Sequence, residues 1–305
     1  MRVLLLASLL LSGSSALAQK IVLANDDGWA IAQIRAQWEA LHAANFDVVL
    51  SAPAENKSGT GSRTSTPGPR TDPCEFDSCP ANSPAQGFNA SNPLLNYVNG
   101  FPADGAKYGI QTLSPKLFGS KPDFVVSGPN NGLNTALAVF FSGTVGAASE
   151  GAKEGVPSIA FSGSNQGAVS YTTLDSDPTS TGTLASRFYA DVTTHFMSIL
   201  STSSANPKLP SGVVLNVNYP TRQTGCQTTS DVKWVLARMF PPILALDVVT
   251  CNNGGRLPLD DTVVKKAGCF ASVVALDMNT KLDASSTNQQ SVLDSLSGLG
   301  FTCLP

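Results

Sequence analysis

Apolar runs and helical spacings alternate along this chain. Residues 20–24 are a short apolar run that enters Asn25-Asp26-Asp27-Gly28, the pattern of a buried strand closed by a tight turn. Ile31, Ile34, Trp38 and Leu41 then follow at spacings of three, four and three, which predicts an amphipathic helix. A second apolar strand, 46–50, closes on Ser51-Ala52-Pro53. Strand, helix and strand in quick succession form a βαβ unit, which predicts a parallel sheet covered on both faces. Further along, the pattern predicts strands at 123–126, 157–161 and 212–217, and helices at 142–151 and 184–200. Beyond about Cys226 the pattern weakens; strands near Val248 and Ser272 and a final helix near Ser291 are expected. No internal repeat or heptad occurs. The fold class is therefore α/β: a doubly wound, mostly parallel open sheet in a three-layer core, with a C-terminal extension.

Two segments break this rhythm. Residues 1–18 begin with Met1-Arg2, continue as an apolar run from Val3 to Leu11 and end in Ala16-Leu17-Ala18. That is the plan of a secretory signal peptide, too short for a comfortable membrane span. The mature protein is expected to start at Gln19 and to be extracellular, and 19–305 reads as a single domain. Between Ser58 and about Gly105 the composition turns to Ser, Thr, Pro, Asn and Gly. This reads as an insertion at about 62–105, too long to be structureless in a compact domain.

Secretion changes the reading of the six cysteines, Cys74, Cys79, Cys226, Cys251, Cys269 and Cys303. An even count in an oxidising compartment favours three disulfides. The close spacing of Cys74 and Cys79 favours a local bridge, with the other four pairing among themselves. Asn89 in Asn-Ala-Ser is a glycan candidate; Asn56 in Asn-Lys-Ser is expected to be bare, because of its neighbour Ser58.

Composition narrows the function. Lys+Arg 19 against Asp+Glu 22 gives a net charge of -3, which argues against a polymeric nucleic-acid partner. No later apolar run approaches membrane length. The chain has His 2, His42 and His195, so a multi-histidine metal site is excluded. His195 falls within the long helix pattern and reads as structural or exposed.

In open parallel sheets, ligands bind beyond the carboxyl ends of the strands. Here those ends carry Asn25-Asp26-Asp27-Gly28, a loop reaching Ser58, and Ser127-Gly128-Pro129-Asn130. Adjacent carboxylates with no base nearby repel, and a divalent cation removes that cost. Carboxylate, hydroxyl and amide oxygens are hard ligands suited to Mg²⁺, Mn²⁺ or Ca²⁺. The bland alternative for Asp-Asp-Gly is a solvated turn. Ser142-Gly143-Thr144, before a run of small residues, reads as a helix start suited to an anion such as phosphate, or as simple capping by Ser142. Trp29 is equally balanced between stacking on a nucleobase and packing.

Five ordered blocks resemble the SurE-like nucleotidases and acid phosphatases. They are Asn25–Gly28; Ser51-Ala52-Pro53 with Ser58-Gly59; Gly100-Phe101-Pro102-Ala103-Asp104; the loop from Val126 to Asn134; and Ser142-Gly143-Thr144-Val145 with Glu150-Gly151. The resemblance covers roughly residues 20–165. It implies metal ligands at Asp26, Asp27, Ser58 and Asn130, with Asp26 and Asp27 catalytic. It also implies a phosphate loop at Ser142, Gly143 and Thr144, with Asn25 and Asn134 in support. The expected activity is metal-dependent hydrolysis of small phosphomonoesters, nucleoside monophosphates among them. The alternative is a secreted metal- or ligand-binding protein without turnover.

The chain departs from that pattern at Ala32-Gln33, Phe101 and Gly105, none of them an implied ligand. The leader, the cysteines and Cys269-Phe270-Ala271-Ser272 resemble secreted fungal members. Bacterial members dimerise through a C-terminal extension that has no match here, so a homodimer is left open. A dehalogenase-type phosphatase needs Asp-x-Asp, whereas the aspartates of this turn are adjacent, and a serine hydrolase needs G-x-S-x-G, which does not occur.

Overall fold

The computed structural model describes residues 18–164, 167–242, 246–252 and 254–305. The expected leader lies outside the described residues apart from Ala18.

The apolar run after Gln19 is β1 (Lys20–Ala24). Its side chains alternate between two cores: Ile21 and Leu23 on one face, Val22 and Ala24 on the other. The sheet is completed by β2 (Asp47–Pro53), β3 (Gln86–Asn89), β4 (Asn92–Val98), β5 (Phe124–Asn131), β6 (Ser158–Gly163), β7 (Val213–Asn218), β8 (Lys233–Ala237) and β9 (Phe270–Asp277). The strand order is β3-β4-β2-β1-β5-β6-β7-β9-β8. Strands β4, β2, β1, β5, β6 and β7 run parallel. The β3–β4 and β7–β9 pairs are antiparallel.

Helices cover both faces. Ala32–Ala43 packs against Thr181–Thr202, with Ile34, Leu41, Phe188, Val192 and Phe196 in the same core as Ile21 and Leu23. Pro102–Tyr108 packs against Gly143–Lys153, with Ala106 and Ala147 against Ala24. The result is the expected three-layer α/β fold. The chain lays down strands outward from β1 through β2 to β4, then returns to β5 on the other side of β1. The crevice between the carboxyl ends of β1 and β5 is thus the switch point at which open sheets bind ligands.

The insertion has structure of its own. Its β3–β4 hairpin extends the sheet beside β2, and Cys74–Cys79 closes a tight loop ahead of it. The remaining cysteines pair as Cys226–Cys269 and Cys251–Cys303. The expectation near Val248 is corrected: no strand forms there. Val248 is buried, but its N–H bonds to the Gln289 side chain (2.8 Å) rather than to a neighbouring strand. The strand of this region is β8, which apolar periodicity did not reveal because it is short and lies at the sheet edge. Among the described residues, no helix is long and apolar enough to cross a membrane.

Candidate functional site

The site begins with the turn after β1. Asn25 closes it: its amide Nδ2 donates to Gly28 O (2.9 Å) and its Oδ1 accepts from Gly28 N–H (3.3 Å). Gly28 has φ of 108°, a left-handed value that favours glycine. This turn sends the two neighbouring aspartates to different partners while burying both; Asp26 is 2% and Asp27 3% exposed.

Asp26 faces the start of the Gly143–Lys153 helix. Gly143 N–H donates to its Oδ2 (3.1 Å), and the Thr144 hydroxyl donates to its Oδ1 (2.6 Å). A Cβ at Gly143 would lie 2.7 Å from Asp26 Cβ and 2.8 Å from Pro102 Cγ, so only glycine permits this approach. The helix start therefore already holds an anion, and that anion is Asp26. Ser142 is the N-cap, accepting from Val145 N–H (3.0 Å).

Asp27 faces the other two loops. Its Oδ2 accepts from Asn131 N–H (2.8 Å), and the Ser58 hydroxyl lies 3.5 Å from its Oδ1. Asn56 sets Ser58 in place by accepting its N–H (2.8 Å), and Lys57 N–H ties that loop to Asp26 O (2.7 Å). Asn130 is the penultimate residue of β5 and follows an irregularity in the β5–β6 register between Ser127 and Asn130, the kind of kink that re-aims a side chain beside a site. Its Nδ2 donates to Gly132 O (2.5 Å), whereas its Oδ1 is buried and has no donor.

Asn134 stands behind this loop. Its N–H bonds Asn218 Oδ1 (2.8 Å) and its amide bonds Ser162 Oγ (2.7 Å), while its carbonyl accepts from Asn216 and Asn218. It fixes the loop to β6 and β7. Sequence reasoning did not find Asn131, whose backbone amide carries the contact, nor Asn216 and Asn218, whose place depends on strand order. It also missed Glu75, from the insertion. Trp29 is a packing residue: it is buried, 5.2 Å from the Tyr97 ring, with the Arg35 guanidinium 4.9 Å from its centre. His42 and His195 are exposed on their helices, away from the turn.

The electrostatics are one-sided. Burial pushes the Asp26 carboxyl above its ordinary range, against the lowering effect of its Thr144 and Gly143 donors. Asp27 is pushed up to about 7 by burial, then by the charge of Asp26, with Glu75 adding to it. Glu75 is also raised to about 7, by burial and by Glu55. A divalent cation would reverse each shift. Among the described residues, no three His, Cys, Asp or Glu side chains group to hold a metal. The residues present nevertheless fit a hard cation. They offer two carboxylates, a hydroxyl and a buried amide oxygen without a donor.

Paired buried carboxylates at the switch point of a parallel sheet, one of them facing a helix start, define an α/β protein with an oxygen-rich acidic cluster at the end of its central strands. The chain belongs to the SurE family: residues 21–239 match the family model described as "Survival protein SurE". It is 32% identical over 283 residues to an acid phosphatase of Yarrowia lipolytica, covering 83% of this chain and 77% of that protein. It is 38% identical over 148 residues to the 5′-nucleotidase SurE of Polaromonas sp., spanning 48% of this chain and about half (49%) of that relative. The crystal structure of the SurE protein from Aquifex aeolicus shares the fold, with a TM-score of 0.59 at 24% identity over 90% of this chain and 98% of that one.

Proposed function

We propose that this protein is a secreted, divalent-metal-dependent phosphomonoesterase acting on nucleoside monophosphates or related small phosphate esters. One observation carries the reading: Asp26 and Asp27 are buried side by side after β1, Asp26 against a helix start and Asp27 against the β5 loop, with no salt bridge to a cation among the described residues. Its relatives named acid phosphatase and 5′-nucleotidase support it. The leader-like residues 1–18 and the three disulfides support secretion.

Asp26, Asp27, Ser58 and Asn130 would hold the ion, most suitably Mg²⁺ or Mn²⁺, with Ca²⁺ also compatible with the donors. When bound, the ion supplies Lewis acidity at the phosphoryl group. Asp26 is oriented by Gly143 and Thr144, and Asp27 by the Asn131 amide. Ser142 accepts from Val145 and so keeps its hydroxyl hydrogen for a substrate oxygen. The first turn of the helix adds a partial positive charge beside the phosphate. Hydrolysis adds water to phosphorus and breaks the P–O ester bond, releasing alcohol and phosphate. Positioning and charge stabilisation carry most of the rate.

The test is turnover of 5′- and 3′-nucleoside monophosphates and p-nitrophenyl phosphate with Mg²⁺, with Mn²⁺ and with EDTA. Turnover that EDTA abolishes and metal restores is expected. A folded, metal-loaded protein without turnover would overturn the enzyme reading and leave a binding protein on the same fold.

A further inference from the structure

The insertion delivers a third carboxylate to the turn that carries the aspartate pair. A Cβ added at Gly28 would collide with Oε2 of Glu75 and lie 3.3 Å from the Glu55 carbonyl carbon. The carboxyl group of Glu75 therefore fills the space that any side chain at position 28 would need, directly against the backbone of Asp27-Gly28. Its place is fixed from both sides. Glu75 N–H bonds Ala54 O at the end of β2 (3.1 Å), and the Cys74–Cys79 disulfide closes the loop around it, with Cys74 N–H on Cys79 O (3.0 Å).

Glu75 differs from its neighbour Glu55. Glu55 is paired with both Lys57 and Arg70. Among the described residues Glu75 has no ion pair, and its Oε2 is buried with no donor. Asn130 Oδ1, at the end of β5, is in the same condition. Both are acceptor-only atoms, and a buried acceptor left without a partner is costly. A cation, or water oriented by one, would satisfy an acceptor of this kind.

We infer that Glu75 is a further acidic partner of the divalent-cation site, supplied by the disulfide-closed insertion rather than by a strand end. The inference rests on the metal-dependent reading above and extends it. Glu75 adds negative charge to a site whose strand-end donors are two carboxylates and two neutral oxygens. Its effect falls on cation affinity, which depends on the groups around the direct ligands as well as on the ligands themselves.

Calorimetric titration of Mn²⁺ into the full-length secreted protein tests this. Glu75→Gln keeps the shape and removes the charge. It is expected to weaken Mn²⁺ binding roughly tenfold, and Glu75→Asp to restore part of the loss. Thermal unfolding without metal supplies the second readout. Glu75→Gln should be at least as stable as the parent, because a buried like charge is gone, while its stabilisation by Mn²⁺ should be smaller. Unchanged Mn²⁺ affinity together with a less stable metal-free protein would make Glu75 a structural residue and overturn the inference. If the parent protein itself takes up no Mn²⁺, the metal-dependent reading fails, and this inference with it. If the parent binds and Glu75→Gln binds equally well, only the role of Glu75 falls.

Discussion

Both halves of the sheet bury charged residues, but they treat them in opposite ways. At the β7–β9–β8 end, the guanidinium of Arg238 meets Asp247 and Asp283, and Gln289 bonds Asp247 (3.0 Å). That cluster has its counter-charge within reach: one guanidinium serves both carboxylates. At the β1–β5 crevice, Asp26 and Asp27 are buried as deeply but face only N–H and O–H donors. The first arrangement is complete as it stands. The second holds an electrostatic cost that a ligand of opposite sign would relieve, and perturbed groups of that kind concentrate at functional sites. Buried charge therefore marks a site only where its counter-charge is missing.

The largest effect should come from removing one charge at each end. Asp27→Asn is expected to cost roughly a thousandfold in kcat/KM, the size of losing several kcal/mol of metal-borne stabilisation. It should leave metal-free stability equal or higher, because a repelling carboxylate is gone. Asp247→Asn is expected to do the reverse. It should lose about 1–3 kcal/mol of stability by weakening the acceptor that Arg238 and the Leu257 N–H share, with kcat/KM nearly unchanged. Phosphatase assays and urea unfolding of both variants check the pair. Equal activity loss in the two would erase the distinction.

The disulfides sharpen the same contrast. Cys251–Cys303 spans 52 residues and Cys74–Cys79 only 5. Loop-closure entropy predicts losses of about 4 and about 2 kcal/mol on replacement by serine. Denaturation midpoints should rank in that order, and the reverse ranking would argue against an entropic origin.

A smaller effect is expected behind the site. Asn134→Ala removes the donor to Ser162 Oγ while its backbone bonds to Asn216 and Asn218 remain, and should cost about 1–3 kcal/mol, with a lower kcat because the loop bearing Asn130 loosens. Unchanged kcat in a destabilised variant would limit Asn134 to a structural role.

A last effect concerns pH and bears on stability alone. Asp260 is buried beside Asn218 (3.4 Å), and burial is the main cause that raises its carboxyl from 3.8 to about 7. The folded state thus holds a proton that the unfolded state releases. The contribution of Asp260 is complete below pH 3.8 and is lost as pH rises toward 7. Asp260→Asn should flatten that part of the stability profile and exceed the parent near pH 7. A profile identical to the parent's would remove Asp260 from the linkage.

The crevice was more legible in sequence than the far end, for a physical reason. Strands β1, β2 and β5 are short apolar runs, each ending in a polar turn, so the chain itself marks both the strand and its ligand-facing end. Those ends drew attention to Asn25, Asp26, Asp27, Ser58 and Asn130 as candidates, and the family resemblance supplied their proposed roles. The exact use of the helix start could not. Ser142, Gly143 and Thr144 read as an anion site, but only the tertiary approach of Asp26 shows that Gly143 and Thr144 hold a carboxylate of the chain itself. Glu75, Asn216 and Asn218 were hidden because their place depends on how an insertion folds and which strands become neighbours. In the last third, Asp247-Val248-Val249 mimics a strand. Its polar contacts are made by side chains, a pattern with no period to detect.

A cation between the unopposed carboxylates would relieve the cost of burying them. Anomalous diffraction from crystals grown with Mn²⁺ tests for that cation most directly. One strong peak bordered by Asp26, Asp27 and the Asn130 side-chain oxygen is expected. A crystal that contains Mn²⁺ but shows no peak in that crevice would contradict it.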